Sequence, residues 1–311
     1  MITARPTSRL REAVRPTTLI PVPLLTRRLG AEVLLASETL QYTGSFKFRA
    51  AYNVVSEVPQ DLFITASSGN FGQALAYACS LVGKSCIIVM PGTSAQVKID
   101  AVREYGGKVE LLDVSLKSRE QRVRELGAEH PEAYLASPYD DPLVIAGNST
   151  LGEEILRARS TLDYVVAPVG GGGLASGIVS AICQSDRVVR VIGAEPLIAN
   201  DAARSLRAGH IVRNEAEPQT IADGTRTLSL GKHNWEILKT GLQTIVEVPE
   251  DKIVEAVRLL FTLANLKAEP TGALSLAAVL TRPELFRDRE VCCVISGANV
   301  DPAVYRSILE G

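Results

Sequence analysis

Short apolar segments alternate with amphipathic segments along most of this chain. The apolar segments have the length of buried strands, and the segments between them repeat hydrophobic residues with the roughly 3.6-residue period of a helix. Strands are predicted over residues 62–65, 85–90, 108–112, 164–167, 188–194 and 291–295. Helices are predicted over residues 72–82, 95–105, 118–126, 176–183 and 252–266. This alternation predicts an α/β fold whose parallel sheets are covered by helices on both faces.

The composition of the 311 residues is that of a globular protein, with 46% hydrophobic and 22% charged side chains. The formal net charge is only -2, and no block of basic residues is present. We therefore expect no binding to nucleic acid or to an anionic membrane. The apolar runs are far shorter than a membrane-spanning helix, and residues 1–10 contain no apolar signal segment. We expect a cytoplasmic protein that acts on a small molecule.

A run of four glycines lies between a predicted strand and a predicted helix, at residues 170–173. Glycines let backbone N–H groups approach a ligand closely, and the N-terminus of the following helix favours an anion. The run therefore predicts a phosphate site. Because Gly170, Gly172 and Ala175 also match the pattern G-x-G-x-x-A and Glu195 ends the next strand, a dinucleotide site is an alternative. A turn without a ligand is another.

Lys47 stands among small and aromatic residues in the segment 41–49. Apolar surroundings destabilise a charged lysine, so its pKa falls and its amine becomes a candidate nucleophile for a Schiff base. An ordinary surface lysine is the alternative. The polar loop 67–72 follows a predicted strand and offers hydroxyl, amide and N–H groups to a ligand. Its alternative role is to cap the next helix through Ser68 or Asn70.

These loops together resemble the fold type II family of pyridoxal-phosphate (PLP) enzymes, specifically its branch of threonine/serine dehydratases and serine racemases. The matching motifs are Gly-Ser-Phe-Lys at 44–47, the asparagine loop at 67–72, the glycines at 170–173 and Ser-Gly-Ala-Asn-Val-Asp at 296–301. The segments 218–224 and 269–272 also look like signatures of this branch. The resemblance covers nearly the whole chain.

The resemblance implies two open, twisted, parallel-sheet α/β domains with PLP in the cleft between them. The large PLP-binding domain would contain residues 1–51 and 146–311. The small domain would contain residues 52–145, carry the asparagine loop and move to close the site. The resemblance also implies a homodimer.

The resemblance further implies a role for each matching residue. Lys47 would hold PLP covalently and take the proton from the substrate Cα, with Phe46 packed beside the ring. Asn70 would bind the ring 3-oxygen, and Ser296 the pyridine nitrogen. The cofactor phosphate would be bound by the backbone N–H groups of Gly170, Gly171, Gly172, Gly173 and Leu174. The amino-acid substrate would be bound by Ser67, Ser68, Gly69, Asn70, Phe71, Tyr139 and Thr227, the first three holding its carboxylate.

The implied reaction is an elimination. A serine hydroxyl at the pyridine nitrogen stabilises a pyridinium less than a carboxylate would, which favours departure of a β-substituent. Threonine, serine or a bulkier β-hydroxy amino acid would lose water to give an aminoacrylate-type intermediate, which yields a 2-oxo acid and ammonia. Ser68 stands where racemases of the family place a second acid/base group. An amino-acid racemase that uses Lys47 and Ser68 on opposite faces of Cα is therefore an alternative.

A metal site is also implied by the resemblance. Glu195, the carbonyl of Ala199 and Asp201 match the positions that bind a structural divalent cation in the racemase branch. Two carboxylates and a carbonyl suit Mg²⁺ or Ca²⁺. Without the resemblance, these carboxylates would be ordinary loop residues.

Three residues depart from the family pattern near the substrate. Phe71 replaces a histidine, Tyr139 replaces a polar amide, and Thr227 replaces a serine. The first change makes the pocket more apolar. Our hypothesis is that the substrate has a β-substituent bulkier or more apolar than that of serine, as threonine and aryl-serines do.

Other functions are kept as alternatives. A PLP-dependent β-replacement synthase is the nearest, but the motifs at 45–49 and 67–72 fit the dehydratase branch better. An NAD-dependent dehydrogenase would use Gly170, Gly172 and Glu195, but it leaves Lys47 and Ser296 without a role. A non-catalytic ligand-binding protein would have no need of Lys47.

Overall fold

The computed structural model describes residues 5–67, 69–94 and 96–311. Within these residues, six strands form the larger sheet: β1 (Thr18–Pro21), β2 (Glu32–Ser37), β7 (Tyr164–Pro168), β8 (Arg190–Pro196), β9 (Leu242–Val248) and β10 (Glu290–Ile295). Their order is β1-β2-β10-β7-β8-β9. All neighbouring strands are parallel except the edge strand β1, which runs antiparallel to β2. The predicted parallel sheet is therefore confirmed, with one antiparallel strand added at its edge.

The smaller sheet is parallel throughout in the described residues. Its strands are β3 (Leu62–Ala66), β4 (Ser85–Pro91), β5 (Lys108–Leu112) and β6 (Tyr134–Leu135). They lie in the order β5-β4-β3-β6. The chain enters this sheet after β2 and returns to the larger sheet at β7, so the smaller sheet is an insertion in the larger one.

Helices connect most of these strands. They are α1 (Leu10–Ala13), α2 (Pro23–Leu29), α3 (Lys47–Glu57), α4 (Asn70–Val82), α5 (Gln96–Glu104), α6 (Arg119–Glu129), α7 (Pro142–Ala158), α8 (Gly173–Cys183), α9 (Asp201–Ala208), α10 (Lys232–Gly241), α11 (Glu250–Ala264), α12 (Pro270–Thr281), α13 (Pro283–Phe286) and α14 (Pro302–Glu310). No helix in the described ranges is both long and apolar enough to cross a membrane.

Helices cover both faces of the larger sheet, as alternating residues of β10 demonstrate. Cys293 and Ile295 belong to one hydrophobic cluster, which also contains residues of α11 and α12. Cys292 and Val294 belong to a second cluster, which contains residues of α7, α8 and α10. Successive side chains of a strand point to opposite faces, so β10 must be apolar at both sets of positions. This explains the uninterrupted apolar run at 291–295.

The carboxyl ends of three parallel strands carry the predicted site loops. The loop with Asn70 follows β3, the four glycines follow β7, and Ser296 follows β10. An isolated bridge joins Ser45 to Gly297, and the Phe46 N–H donates to the Ser296 carbonyl at 3.0 Å. The segment that carries Lys47 is thereby tied to the end of β10. Open α/β sheets bind their ligands at the carboxyl ends of their strands, which is where these loops lie in both sheets.

Candidate active site

Lys47 is the first residue of α3, and its half-buried side chain places the amine near two aromatic rings. The Nζ lies 5.1 Å from the centre of the Phe46 ring and 5.7 Å from that of the Phe71 ring. It donates a hydrogen bond to the Pro138 carbonyl at 2.6 Å. Burial lowers the pKa of Lys47 to about 8, although the nearby Glu269 opposes the shift. The amine is thus available in its neutral, nucleophilic form much closer to neutral pH than an ordinary lysine is.

Asn70 begins α4, and both ends of its side-chain amide are hydrogen-bonded. Its Nδ2 donates to Glu269 Oε1 at 2.8 Å, and its Oδ1 accepts from Asn299 Nδ2 at 2.8 Å. Burial, and then the charge of Asp223, raise the pKa of Glu269 to about 8. Asn70 therefore takes part in a polar network next to Lys47 and does not cap its own helix.

The four glycines after β7 pack closely against neighbouring residues, and a Cβ on Gly171, Gly172 or Gly173 would lie less than 3.0 Å from another atom. A Cβ on Gly171 would lie 2.2 Å from the Tyr139 ring, and one on Gly173 would lie 2.9 Å from the Tyr139 carbonyl oxygen. Gly170 approaches the backbone of Gly224, and Gly172 has a φ of +97°. Leu174 continues α8, so free N–H groups of its first turn face the loop. The loop offers the backbone donors that a phosphate requires.

Ser296 lies directly after β10 and is 1% exposed. Its Oγ has no hydrogen-bond partner within the described parts of the chain. Leaving a buried hydroxyl unpaired costs about 1–3 kcal/mol. Such a group next to the Lys47 segment indicates that a ligand supplies the missing partner, and a heteroaromatic nitrogen is a suitable one.

A comparison with protein-family models matches residues 10–297 to the family described as pyridoxal-phosphate dependent enzymes. The chain belongs to this PLP-dependent enzyme family. The family's cofactor needs a reactive lysine amine, phosphate donors and a partner for its ring nitrogen. Lys47, the glycine loop and the unpartnered Ser296 hydroxyl offer these three groups, so the residues fit PLP. Membership supports the PLP interpretation of the glycine loop over the dinucleotide one.

Relatives of the chain include enzymes of the expected branch. L-threo-3-hydroxyaspartate ammonia-lyase of a Pseudomonas species is 38% identical over 91% of this chain and 89% of its own length. Serine racemase of Homo sapiens is 35% identical over 96% of this chain and 94% of its own. The crystal structure of a threonine deaminase from T.th. is similar with a TM-score of 0.89 at 42% identity, covering 94% of this chain and 96% of that one. The PLP family and the fold predicted from the sequence are thus confirmed.

The structure describes every residue of the asparagine loop at 67–72 except one. Ser68 lies outside the described residues. The Ser67 Oγ accepts from the N–H of Gly72 at 3.1 Å and from that of Gly69 at 3.4 Å. Ser67 therefore stabilises the start of α4, a role that the sequence analysis gave to Ser68 or Asn70 as the alternative to ligand binding.

Phe71 and Tyr139 lie close to Lys47 and to the glycine loop, respectively, as the contacts above establish. The described contacts do not join Thr227 to Lys47 or to the glycine loop. Its backbone carbonyl accepts a hydrogen bond from Asn214 Nδ2 at 3.4 Å. The Thr227 hydroxyl is buried and lacks a partner among the residues described. Its contact with the substrate stays a prediction.

The three residues of the expected metal site lie between the end of β8 and the first residue of α9. The Glu195 carboxylate accepts from the N–H groups of Ala203 at 2.7 Å and Ala202 at 3.2 Å. Asp201 Oδ1 accepts from Asn214 Nδ2 at 2.9 Å, and Ala199 is buried. Burial raises the pKa of Glu195 well above its usual value and that of Asp201 to about 6. Glu195 thus already serves as an acceptor for the first turn of α9.

Three residues that contact Lys47 or Asn70 were not predicted to do so. They are Pro138, Glu269 and Asn299. Glu269 and Asn299 lie inside the matched segments 269–272 and 296–301, but no role was predicted for either residue. No local pattern indicates that these two residues meet Asn70, because they are about 200 positions away along the chain. Pro138 acts through its backbone carbonyl, which its residue type does not reveal.

Proposed function

We propose that the chain is a PLP-dependent ammonia-lyase that converts a β-hydroxy amino acid to a 2-oxo acid and ammonia. The observation that carries the proposal is a half-buried lysine amine of lowered pKa on a segment that is hydrogen-bonded to the end of β10. There the uncharged Ser296 hydroxyl lacks a partner among the described residues. The ammonia-lyases and the threonine deaminase among the relatives support the same activity.

The cofactor would be held by residues of four segments. Lys47 would bind it covalently, and Phe46 would pack against it. Asn70 would bind the ring 3-oxygen and the Ser296 hydroxyl the ring nitrogen. The phosphate would be bound by the N–H groups of Gly170, Gly171, Gly172, Gly173 and Leu174. When bound, PLP supplies an electron sink for the Cα of the amino acid.

Lys47 would also move the substrate proton. A pKa of about 8 lets a useful fraction of the amine accept the Cα proton near neutral pH. The Pro138 carbonyl would hold the direction of the amine, and the Phe46 and Phe71 rings lie beside it. The neutral Ser296 hydroxyl would stabilise a positive charge on the ring nitrogen less than a carboxylate would, which would favour loss of the β-hydroxyl group of the substrate.

The substrate would be an amino acid with a β-substituent larger than that of serine. Phe71 is 1% exposed and faces the Lys47 amine, so it gives the pocket an apolar wall. Ser67 and Gly69 lie at the start of α4, near where the substrate carboxylate would bind. Formation of 2-oxo acid from L-threonine, L-serine, L-threo-3-hydroxyaspartate and a phenylserine tests this. We expect a larger substrate to exceed L-serine in kcat/KM; an L-serine value above all the others contradicts the proposal.

Racemisation is the second candidate activity, favoured by the serine racemases among the relatives. It would use Ser68 on the face of Cα opposite Lys47. In the Ser68→Ala variant we expect formation of the D-enantiomer to be lost while elimination is retained. Chiral chromatography of the amino acid measures the first activity, and formation of the 2-oxo acid measures the second. If Ser68→Ala lost elimination as well as racemisation, the result would contradict a role for Ser68 that is limited to proton transfer on one face of Cα.

A divalent cation at Glu195, Ala199 and Asp201 is proposed with Mg²⁺ or Ca²⁺ as the ion. The buried Asp201 Oδ2 has no partner in the described portion of the chain, which leaves an oxygen for it. The proposal predicts a higher melting temperature in Mg²⁺ or Ca²⁺ than in EDTA, and a loss of this difference in Asp201→Asn. Equal melting temperatures for the wild type in all three buffers would count against it.

A homodimer and a cytoplasmic location, both expected from the sequence, are further proposals. Sedimentation equilibrium of the purified protein tests the first. A mass of one chain at micromolar concentration would overturn it. Imaging of a tagged chain in its native cell tests the second.

A further inference from the structure

The side-chain amide of Asn70 has two ends of similar shape and opposite hydrogen-bonding character. Which end meets a given neighbour must be decided by the partners. For a residue that would bind the ring oxygen of the cofactor, the choice matters: the amino group attracts an oxygen and the carbonyl group repels it. The partners of Asn70 form a chain of hydrogen bonds that settles this choice.

This series of hydrogen bonds begins at the backbone carbonyl of Thr43. Asn299 Nδ2 donates to the Thr43 carbonyl oxygen at 2.7 Å. A carbonyl can only accept, so the amino end of Asn299 has to face Thr43. The same Nδ2 donates to Asn70 Oδ1 at 2.8 Å. The orientation of Asn299 therefore fixes the oxygen end of Asn70.

The turn that presents the Thr43 carbonyl is closely fitted to Asn299. Thr43 has a φ of 60°, a left-handed conformation that is unfavourable for a β-branched residue. Gly44 follows with a φ of +71°, and a Cβ there would lie 2.5 Å from Asn299 Oδ1. This local strain is consistent with a functional requirement on the turn.

The other end of Asn70 faces Glu269. Asn70 Nδ2 donates to Glu269 Oε1 at 2.8 Å. Glu269 is 3% exposed, and a Cβ on Gly297 would lie 2.5 Å from the same Oε1. The carboxyl oxygen is therefore confined between Gly297 and Asn70. It takes one of the two N–H groups of the Asn70 amide, which leaves the second for another acceptor.

We propose that Glu269 and Asn299 are positioning residues that hold the Asn70 amide in a single orientation, with its amino group ready to donate to an oxygen of the bound cofactor. The proposal rests on the proposed function, since Asn70 is the group that would meet the cofactor. Thr43, Glu269 and Asn299 precede or follow the inserted smaller sheet, whereas Asn70 follows β3 of that sheet. The same hydrogen bonds thus align the two sheets' contributions to the site.

The test is PLP binding by the apoprotein, followed through the dissociation constant and the visible spectrum without substrate. Glu269→Met has a similar volume but no acceptor, and we expect its dissociation constant to rise about tenfold, as expected for the loss of one hydrogen bond of about 1.4 kcal/mol. Glu269→Gln keeps a carbonyl acceptor for Asn70, so it should bind PLP within about twofold of the wild type. Glu236→Met, on an exposed face of α10, is the matched control.

Asn299→Ser tests the other end without touching Glu269. We expect weaker PLP binding by several-fold and an altered visible spectrum of the bound cofactor. Wild-type binding in both Glu269→Met and Asn299→Ser would overturn the inference. If Glu269→Met does not fold, wild-type binding by Asn299→Ser alone overturns it. A wild-type protein that binds no PLP would overturn the proposed function as well, which distinguishes the two failures.

Discussion

At the scale of single residues, the site depends on polar groups that burial has left with few partners. Lys47 has one described hydrogen bond, to a carbonyl, and two aromatic rings beside it. Ser296 has a buried hydroxyl that the described residues do not pair. Both arrangements are costly in the apoprotein and favourable once a ligand supplies partners. Each of them gives a prediction.

The rate at which PLP adds to the apoprotein is expected to follow the ionisation of Lys47. Only the neutral amine attacks the aldehyde, and burial has lowered the pKa of Lys47 to about 8. The rate should rise with pH and reach half of its maximum near pH 8, measured by stopped-flow absorbance. A midpoint above about pH 10, as for an ordinary lysine, would contradict the burial of this amine.

Ser296→Ala separates the cost of the unpartnered hydroxyl from its use. Without PLP, the free energy of unfolding should stay the same or rise by up to about 1–3 kcal/mol, because an unpaired buried hydroxyl is removed. With PLP, the variant should gain less stability than the wild type. Urea unfolding with and without PLP measures both. A large loss of stability in the apoprotein would show that Ser296 is paired within the protein.

At the scale of elements, the residue two positions after Lys47 fastens the start of α3. The Arg49 guanidinium bonds Glu38 at 2.7 Å and Glu154 at 2.8 Å, and all three side chains are buried or nearly so. Burial alone would lower the pKa of Arg49, but the two carboxylates outweigh it and the pKa is raised. Glu154 also accepts from the N–H of Thr17 at 2.7 Å. The end of β2, α3, α7 and the segment before β1 therefore meet at one cation.

Arg49→Met is expected to destabilise the fold by about 3–5 kcal/mol, because it leaves two buried carboxylates without their counter-charge. Urea denaturation measures this difference. Arg11→Met is the control: Arg11 is 51% exposed in its pair with Glu153, so its loss should cost no more than about 1 kcal/mol. Equal effects for the two variants would contradict the structural role of the buried network.

The strands and helices predicted most accurately are ones whose pattern of apolar residues reflects burial along the segment itself. The strand at 108–112 coincides with β5, and the run at 291–295 differs from β10 by one residue at its start. The helix predicted over 72–82 begins at Asn70, because its start depends on how Ser67 bonds Gly72 rather than on hydrophobic period. The strands β1, β2, β6 and β9 were not predicted. The residues of the edge strand β1 are mostly half-buried and carry no strong apolar run, whereas β2 was missed although it is buried.

The candidate site was predictable wherever a short motif carries the chemistry. Lys47 and the glycine loop were proposed from their motifs, and Asn70 and Ser296 from the resemblance to the PLP family. Their roles toward the cofactor stay predictions. Glu269 and Asn299 were not assigned roles, because their contacts with Asn70 exist only after distant segments pack together. The orientation of an amide is a property of its partners and leaves no signal in the local sequence.

At the scale of the whole molecule, ion pairs connect the part built on the smaller sheet to the rest. Lys98 of α5 lies 2.9 Å from Asp223, and Arg119 of α6 lies 3.4 Å from Glu217. All four side chains are partly exposed, so each pair contributes no more than about 1 kcal/mol. These two ion pairs are weak enough to open and close, whereas the hydrogen bonds of Asn70 with Glu269 and Asn299 also cross between the two parts. We propose that residues 52–145 form a small mobile domain that stays tied to the larger part at Asn70.

Binding of a substrate analogue to the PLP-loaded protein should therefore reduce its radius of gyration. Closing the smaller domain over the cleft would exclude water from Lys47. Small-angle scattering with and without the analogue measures the change. Superimposable profiles at saturating analogue would contradict the proposed movement.

The central claim is that Lys47 holds PLP covalently, and one spectroscopic measurement tests it most directly. The purified protein, reconstituted with PLP, should have a visible absorption band that borohydride abolishes, because reduction removes the imine between the lysine and the aldehyde. Peptide mapping after reduction should find the cofactor on Lys47, and Lys47→Ala should lack the band. A wild-type protein without such a band after reconstitution, or a band retained in Lys47→Ala, would contradict the account.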